Sequence, residues 1–356
     1  MADRPGKTGK STAPDMRGEH GAMRLPGLDI DHYNLLVRDP EDEEGFLGDR
    51  ASQGAFRDLL QAARQRHRTG KDPFGDVPTA DLKKKAIDRV LRGSDPDAAH
   101  LVHLAVEDHA RRLAHVIQVF LAQPEWEGVE RIVLGGGFPE HDAGGLAVRR
   151  AMRLLELAKV EARLQLLGHH ADEGGLLGWT ALLPQSEHRH RAFLAVDVGG
   201  TNIRCGIVEH RLEQAPDGHK ARVLERLKWR HADHGPDRAE AVARLAAMLN
   251  GLAAQARTLD LPLAPFVGIA CPGRIEADGG ISQGAQNLPG NWERPFHLAE
   301  ALAAHLDPIA GTLPRVVLHN DAVVQGLSER RKMRKARRWA VLTIGTGLGN
   351  ASYTTR

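Results

Sequence analysis

The stretch FLAVDVGGTNIRCGIVEH, Phe193 to His210, limits what this chain can fold into more than any other. An apolar run ends at Asp197, then Gly199, Gly200 and Thr201 make a break, and a second run with alternating apolar positions follows. Period-two patterning on both sides of a short Gly-rich break predicts two paired strands. Glycines at such a turn let backbone N–H groups approach an anion closely, and Thr201 adds a hydroxyl donor. The same spacing fits a plain tight hairpin whose glycines only supply positive φ. Asp197, at the strand end, is well placed to hold Mg²⁺ through water. More than half of the chain precedes this turn.

The strand-to-glycine pattern recurs. WAVLTIGTGLG carries Gly345, Thr346, Gly347 and Gly349, and RIVLGGGF carries Gly135, Gly136 and Gly137 after a buried strand. Three such turns in one α/β pattern favour a nucleotide site over three unrelated hairpins. RVVLHND ends a strand at Asn320 and Asp321, where a helix begins. A carboxylate there can accept a hydroxyl proton while Asn320 orients the alcohol. Asn and Asp are also what a helix start prefers as a cap. Apolar periodicity predicts helices over 51–66, 95–122, 144–158, 173–184 and 237–257 and a strand over 161–167, with 16–49 irregular.

Composition removes several classes. A formal net charge of +2 gives no argument for nucleic acid. Only Cys205 and Cys271 occur, which excludes a disulfide framework and a Cys-rich zinc cluster. No run approaches the ~18 apolar residues of a membrane span. The polar start lacks the apolar core of a signal peptide, so a cytoplasmic location is expected. The basic run ERRKMRKARR, 329–338, reads as the solvated end of a helix, or as the approach path of a long anionic donor.

The segments DVGGTNIR, CPGRIEADGG with QNLPGNW, HNDAVVQG and LTIGTGLG resemble, in order, the motifs of the ROK (repressor, open reading frame, kinase) family of sugar kinases. The resemblance implies an α/β, two-lobed actin/hexokinase/Hsp70-like (ribonuclease H-like) ATPase fold. The four motifs supply one lobe and only the opening strands of the other, and a lone hairpin cannot bury its own face. GEHGAM (18–23), FLGDRASQGAF (46–56), LVHLAVEDHARRLAHVIQVFLAQ (101–123), RIVLGGGF (130–138) and DEGGLLGWTALL (172–183) resemble the family's remaining segments in the family's order, but all lie ahead of its first motif. The chain therefore reads as circularly permuted. A disordered tail is expected over 1–15, most of the second, adenosine-side lobe over 16–184, and a linker joining the original termini over 185–191. The first lobe follows over 192–338, and the first strands of the second lobe over 339–356. The competing reading is an unrelated N-terminal domain fused to a truncated kinase lobe.

The resemblance further implies transfer of phosphate from ATP, with Mg²⁺, to the 6-hydroxyl of glucose or a close relative. Asp321 would be the general base, and Asn287, Asn320 and Glu19 would hold sugar hydroxyls. Gly199, Gly200, Thr201, Asn202 and Arg204 would cradle phosphates together with Gly345, Thr346 and Gly347, while Gly135–Gly137 would face adenosine. The sequence departs from the family in four places. Ala22 stands where the sugar-binding His is usual and Gly48 where the second Glu is usual, with Asp49 or Glu44 as substitutes nearby. The family's Cys-rich zinc segment is missing, so no structural zinc is expected, and Asn350 replaces a common third glycine. The alternatives are a catalytically weak or inactive sugar sensor and a glucokinase that uses polyphosphate. A homodimer fits either role, with no nucleic-acid or membrane partner.

Overall fold

Residues 15–66 and 71–356 are described by a computed structural model. The tail expected over 1–15 lies outside them up to residue 14. The chain opens with β1 (Arg24–Leu25) and β2 (Leu28–Tyr33), then a ribbon of β3 (Arg38–Asp39) and β4 (Asp42–Phe46). Four helices follow, with two strands among them: α1 (Gln53–Arg66), α2 (Lys84–Leu91), α3 (Pro96–Leu121), β5 (Arg131–Gly135), α4 (Asp142–Leu157) and β6 (Arg163–Leu166). α5 (Ala171–Leu177) and α6 (Trp179–Leu182) end this half. The second half runs β7 (Ala192–Val198), β8 (Ile203–Glu209), β9 (Arg222–Trp229), α7 (Arg238–Thr258) and β10 (Leu263–Cys271). It continues with the ribbon β11 (Arg274–Ile275) and β12 (Ile281–Gln283), then α8 (Leu298–Ala303), β13 (Arg315–Asn320), α9 (Asp321–Leu327) and α10 (Arg330–Met333). β14 (Arg338–Ile344) and β15 (Leu348–Thr355) close the chain.

Local chemistry sets the helix starts. Asp95 caps α3 by accepting from the Asp97 and Ala98 N–H groups at 3.0 and 3.2 Å, with Pro96 at the first helical position. Asp237 and Glu240 form a reciprocal capping box on α7.

Two large sheets carry the molecule. One has the order β13-β10-β7-β8-β9, with β7–β8 and β8–β9 antiparallel and β7–β10 and β10–β13 parallel. The other has the order β1-β2-β15-β14-β5-β6, with β14–β15 and β15–β2 antiparallel and β14–β5 and β5–β6 parallel. Counting β14 and β15 as first and second, five strands of the larger sheet match the five of the smaller, with β2 in the place of β9 and β1 an additional edge strand. Helices α1–α3 then correspond to α7, α4 to α8 and α5 to α9. The fold is thus two-lobed α/β, as expected, and the C-terminal hairpin occupies the middle of the sheet that the N-terminal half begins.

Strand alternation distributes the core. Leu194, Val196 and Val198 pack under α7, while Phe193 and Ala195 point to the opposite face. Ala340, Leu342 and Ile344 pack on α3 and α4, while Trp339 and Val341 point inward. The inward faces of both sheets meet Leu176 and Trp179 of α5–α6 and Val323 and Val324 of α9 in one central cluster. These crossing helices therefore form a middle layer shared by both lobes.

Three expectations needed adjustment. Residues 16–49 are not irregular, because β2 pairs with β15 through Leu28↔Thr355 to Tyr33↔Ala351. The helix expected over 173–184 starts at Ala171 and breaks at Gly178, against which the Val324 carbonyl packs. The basic run is only briefly helical, and Met333 within it is fully buried.

Candidate active site

The two glycine turns face each other from opposite lobes. Thr201 Oγ1 and Thr346 Oγ1 share a hydrogen bond at 3.1 Å. Gly199 N–H donates to the Asn202 carbonyl at 2.9 Å, and Gly345 N–H to the Gly347 carbonyl at 3.0 Å. None of Gly199, Gly200, Gly345 or Gly347 has positive φ. A Cβ on Gly347 would meet nothing within 4 Å, and one on Gly345 only the Gly347 carbonyl oxygen at 3.9 Å. Neither backbone strain nor packing requires glycine at these positions, so positive φ is not what these glycines supply. What glycine leaves there is bare backbone in a cleft, the surface an oligophosphate needs.

The glycines of 135–137 differ. Gly136 has φ +85°, and a Cβ there would collide with the Ile344 backbone. At Gly135 it would lie 2.5 Å from Gln325 Oε1. The fold accounts for both, and only Gly137 keeps an open face, with its carbonyl taking the Lys84 ammonium at 2.9 Å.

Asp321 opens α9 at the C-terminal end of β13. The cap itself is Asn320, whose Oδ1 accepts from the Ala322 and Val323 N–H groups at 3.0 and 3.2 Å. Its Nδ2 donates to the Gly273 carbonyl at 3.0 Å and to Asn34 Oδ1 at 3.2 Å. The Asn320 side chain is completely buried with all four bonds made, so it fixes the helix start and has no bond left for a sugar hydroxyl. That corrects its expected role. Asp321 accepts only from the Ala322 N–H, at 2.9 Å, and has no ion-pair partner among the described residues. Burial, with the negative charge of Asp197, pushes its carboxyl up to about 7. A carboxylate so tuned suits a proton acceptor near neutral pH.

Asp197 and Arg204 form a charged hub. Arg204 Nη1 lies 2.9 Å from Asp197 Oδ2, and its Nε pairs with Asp172 at the start of α5. Lys228 adds a second cation to Asp172 at 2.9 Å. Burial raises Asp197, against the pull of Arg204. Among the described residues no three acidic, His or Cys side chains group as a metal site. With one carboxylate already paired to Arg204, the residues fit a magnesium ion only if phosphate and water supply most of its ligands.

Two cations, Lys84 and Arg57, join the cleft without any motif signal. Burial, with Arg57 second, pushes Lys84 down to about 8. Arg57 donates to the carbonyls of Ala80 and Leu82 at 3.0 and 2.8 Å, and burial followed by the charge of Arg230 lowers its pKa. Lys84 and Arg57 come from one lobe, and Lys228, Arg204 and Arg230 from the other.

Glu19 is exposed. Its loop is tied to β13, with Gly21 N–H donating to the Leu318 carbonyl at 3.0 Å and Leu318 N–H to His20 Nδ1 at 3.1 Å. Asn287 is exposed, on the loop anchored by buried Leu288 and Trp292. Ala22 is fully buried and its carbonyl pairs with His319 Nε2 at 2.9 Å.

The solved structures to which the chain is similar include three sugar kinases. A ROK family glucokinase from Streptomyces griseus, in complex with glucose and AMPPNP, matches at 22% identity over 46% of this chain and 45% of that one, with a TM-score of 0.33. A ROK hexokinase from Thermus thermophilus matches at 23% identity over 45% of each chain, with a TM-score of 0.31. A glucokinase from Balamuthia mandrillaris in complex with glucose matches at 20% over 46% and 44%, with a TM-score of 0.30. The chain spans less than half the length of each of these structures. No protein-family model matches it, and no curated protein does.

Proposed function

We propose that the protein is a kinase that transfers the terminal phosphate of ATP to a hydroxyl of a hexose, glucose or a close relative. The observation that carries this reading is the pair of bare Gly-Thr turns meeting at Thr201 and Thr346. Asp321, with a pKa near 7, would take the hydroxyl proton as the oxygen attacks in line. The Asn320 cap fixes where Asp321 stands. Gly199–Thr201, Asn202 and Gly345–Gly347 would bind phosphate oxygens, and Lys84 and Arg57 would extend that cradle towards Gly137. Magnesium, held by phosphate and water with Asp197 beyond its first ligand shell, would neutralise charge on the transferred group. Glu19 and Asn287 would contact the sugar.

We also propose that the chain is a circular permutant, with 16–184 and 339–356 composing one lobe, 185–191 joining the original termini and 192–338 forming the other lobe. The matching strand order of the two sheets supports it. A second reading, a sugar sensor with little turnover, is favoured by Ala22 and Gly48 standing where sugar ligands are usual. ADP release, measured with Mg-ATP against glucose, mannose, fructose and N-acetylated hexosamines, decides between them. Turnover with one sugar that is lost in Asp321→Asn supports the kinase. A thermal shift with a sugar but no turnover supports the sensor.

A further inference from the structure

A groove of about 780 Å³ opens at the far end of α9 from Asp321. α9 starts at the cleft with Asp321 and its last residue, Leu327, lines the groove, while α5 runs along the groove wall from Glu173 to Leu177. A seven-residue helix is about 10 Å long, so the groove and the cleft are separate places. Seven Arg and Lys side chains line it against three carboxylates.

Those carboxylates are engaged. Glu329 takes the Gly168 N–H at 2.9 Å and Lys332 at 2.8 Å, Asp217 takes His219 and, at 3.6 Å, Arg331, and Glu173 faces Arg226 at 3.9 Å. Arg222 is paired to Glu209 and Arg17 to Asp15. Among the described residues Arg330, Arg334 and Lys335 have no carboxylate within ion-pair distance. Half-buried Arg330 donates to the Pro26 carbonyl, and burial together with the charge of Arg17 lowers its pKa. Thr180 on the wall is 6% exposed, and its hydroxyl has no hydrogen-bond partner among the described residues. Cations at helix C-termini complement the helix dipole, which accounts for Arg331 and Lys332. It does not account for Arg334 and Lys335 beyond the helix, converging with Arg17 from the far end of the sequence.

We propose that this groove is a second binding site, for a small molecule bearing at least two phosphate groups, either a linked oligophosphate or a bisphosphorylated metabolite. Its volume is that of a small-ligand pocket, ~300–1,000 Å³. Its cations line a concavity rather than a long stripe, which suits a compact polyanion better than nucleic acid. The excess positive charge supplies the recognition.

Calorimetric titration of the whole chain with inorganic tripolyphosphate, at low ionic strength, should show two binding events. Arg334→Ala with Lys335→Ala, both at exposed positions, should weaken one event at least tenfold. Arg57→Ala with Lys84→Ala should weaken only the other, which belongs to the proposed donor site in the cleft. A hexose bisphosphate that displaces tripolyphosphate from the groove event identifies a metabolite as the ligand source, and failure to displace assigns the linked phosphates. A single event lost only in the Arg334/Lys335 variant supports the groove and counts against the cleft reading instead. No binding, or a titration unchanged in that variant, overturns the proposal.

Discussion

Asp172 and Asp321 stand in the first turns of two helices, α5 and α9, that occupy the same place in their respective lobes. Their chemistry is opposite. Burial acts to raise Asp172, but Lys228 and Arg204 prevail and hold its carboxyl below the usual range. Asp321 has burial and the charge of Asp197 with no cation to offset them, and stands near 7. The repeated architecture supplies two equivalent helix starts, and Arg204 decides which of them is neutralised. It can do so because Asp197 rests on α5, where a Cβ at Gly175 would come within 2.6 Å of the Asp197 carboxyl carbon.

The largest expected break is in rate. Asp321→Asn should lower phosphoryl transfer by about 10²–10⁴-fold with the fold intact, read by ADP release. In the unaltered protein, kcat/KM should rise with pH through about 7 as Asp321 loses its proton.

The turns come next. Gly136→Ala meets both positive φ and the Ile344 backbone, and should cost about 3 kcal/mol or more in chemical denaturation. Gly347→Ala, into open space, should change stability by no more than about 0.5 kcal/mol while weakening ATP binding. Equal stability losses would erase the distinction between a packing glycine and a ligand-facing one.

Third is the stability of the two aspartates. Asp172→Asn removes one of the two carboxylates paired with Arg204 and should cost about 1.5–3 kcal/mol at neutral pH. Asp172 has a depressed folded pKa, so its contribution is present above the ordinary carboxylate range and is lost as pH falls through the lowered value. Asp321 has a raised folded pKa, so folding resists its ionisation and stability declines as pH rises from the ordinary value of 3.8 towards about 7. Asp321→Asn should therefore stabilise by roughly 1–3 kcal/mol at pH 8 and by almost nothing at pH 4. Melting curves of both variants at the two pH values should diverge in sign. Curves that move together would mean the two aspartates share one environment.

The smallest effect concerns Asn350, where the family resemblance suggests a glycine. It is buried, accepting from the Leu35 N–H at 2.8 Å and donating to the Leu35 carbonyl at 3.1 Å. Asn350→Ala should cost about 1–2 kcal/mol without touching the turn.

Much of this was readable from residue order. The helix over 51–66 appears as Gln53–Arg66 and the one over 95–122 as Pro96–Leu121, because their apolar spacing and, for α3, an Asp-Pro start are local signals. The turn at Thr346 and the carboxylate at Asp321 follow strands whose apolar runs are unambiguous. What was not readable depends on distant contacts. Lys84 sits in a run of three lysines, and only tertiary packing buries that one. Arg57 looks like any surface residue of an amphipathic helix. Asn320 read as a ligand because two of its four hydrogen bonds reach Gly273 and Asn34, far away in sequence. β2 was missed because LDIDHY alternates too briefly to be recognised without β15 beside it.

The seam between β15 and β2 has a consequence for synthesis. As the chain leaves the ribosome, β2 and β5 emerge early, yet they never touch. The two strands that separate them are made of residues 338–355. Until residues 338–355 are made, the N-terminal lobe holds two open edges of unpaired backbone N–H and C=O groups, a state prone to wrong pairing. Closing it is a long-range event of high contact order, because the whole of the other lobe, from β7 to α10, is made between β6 and β14.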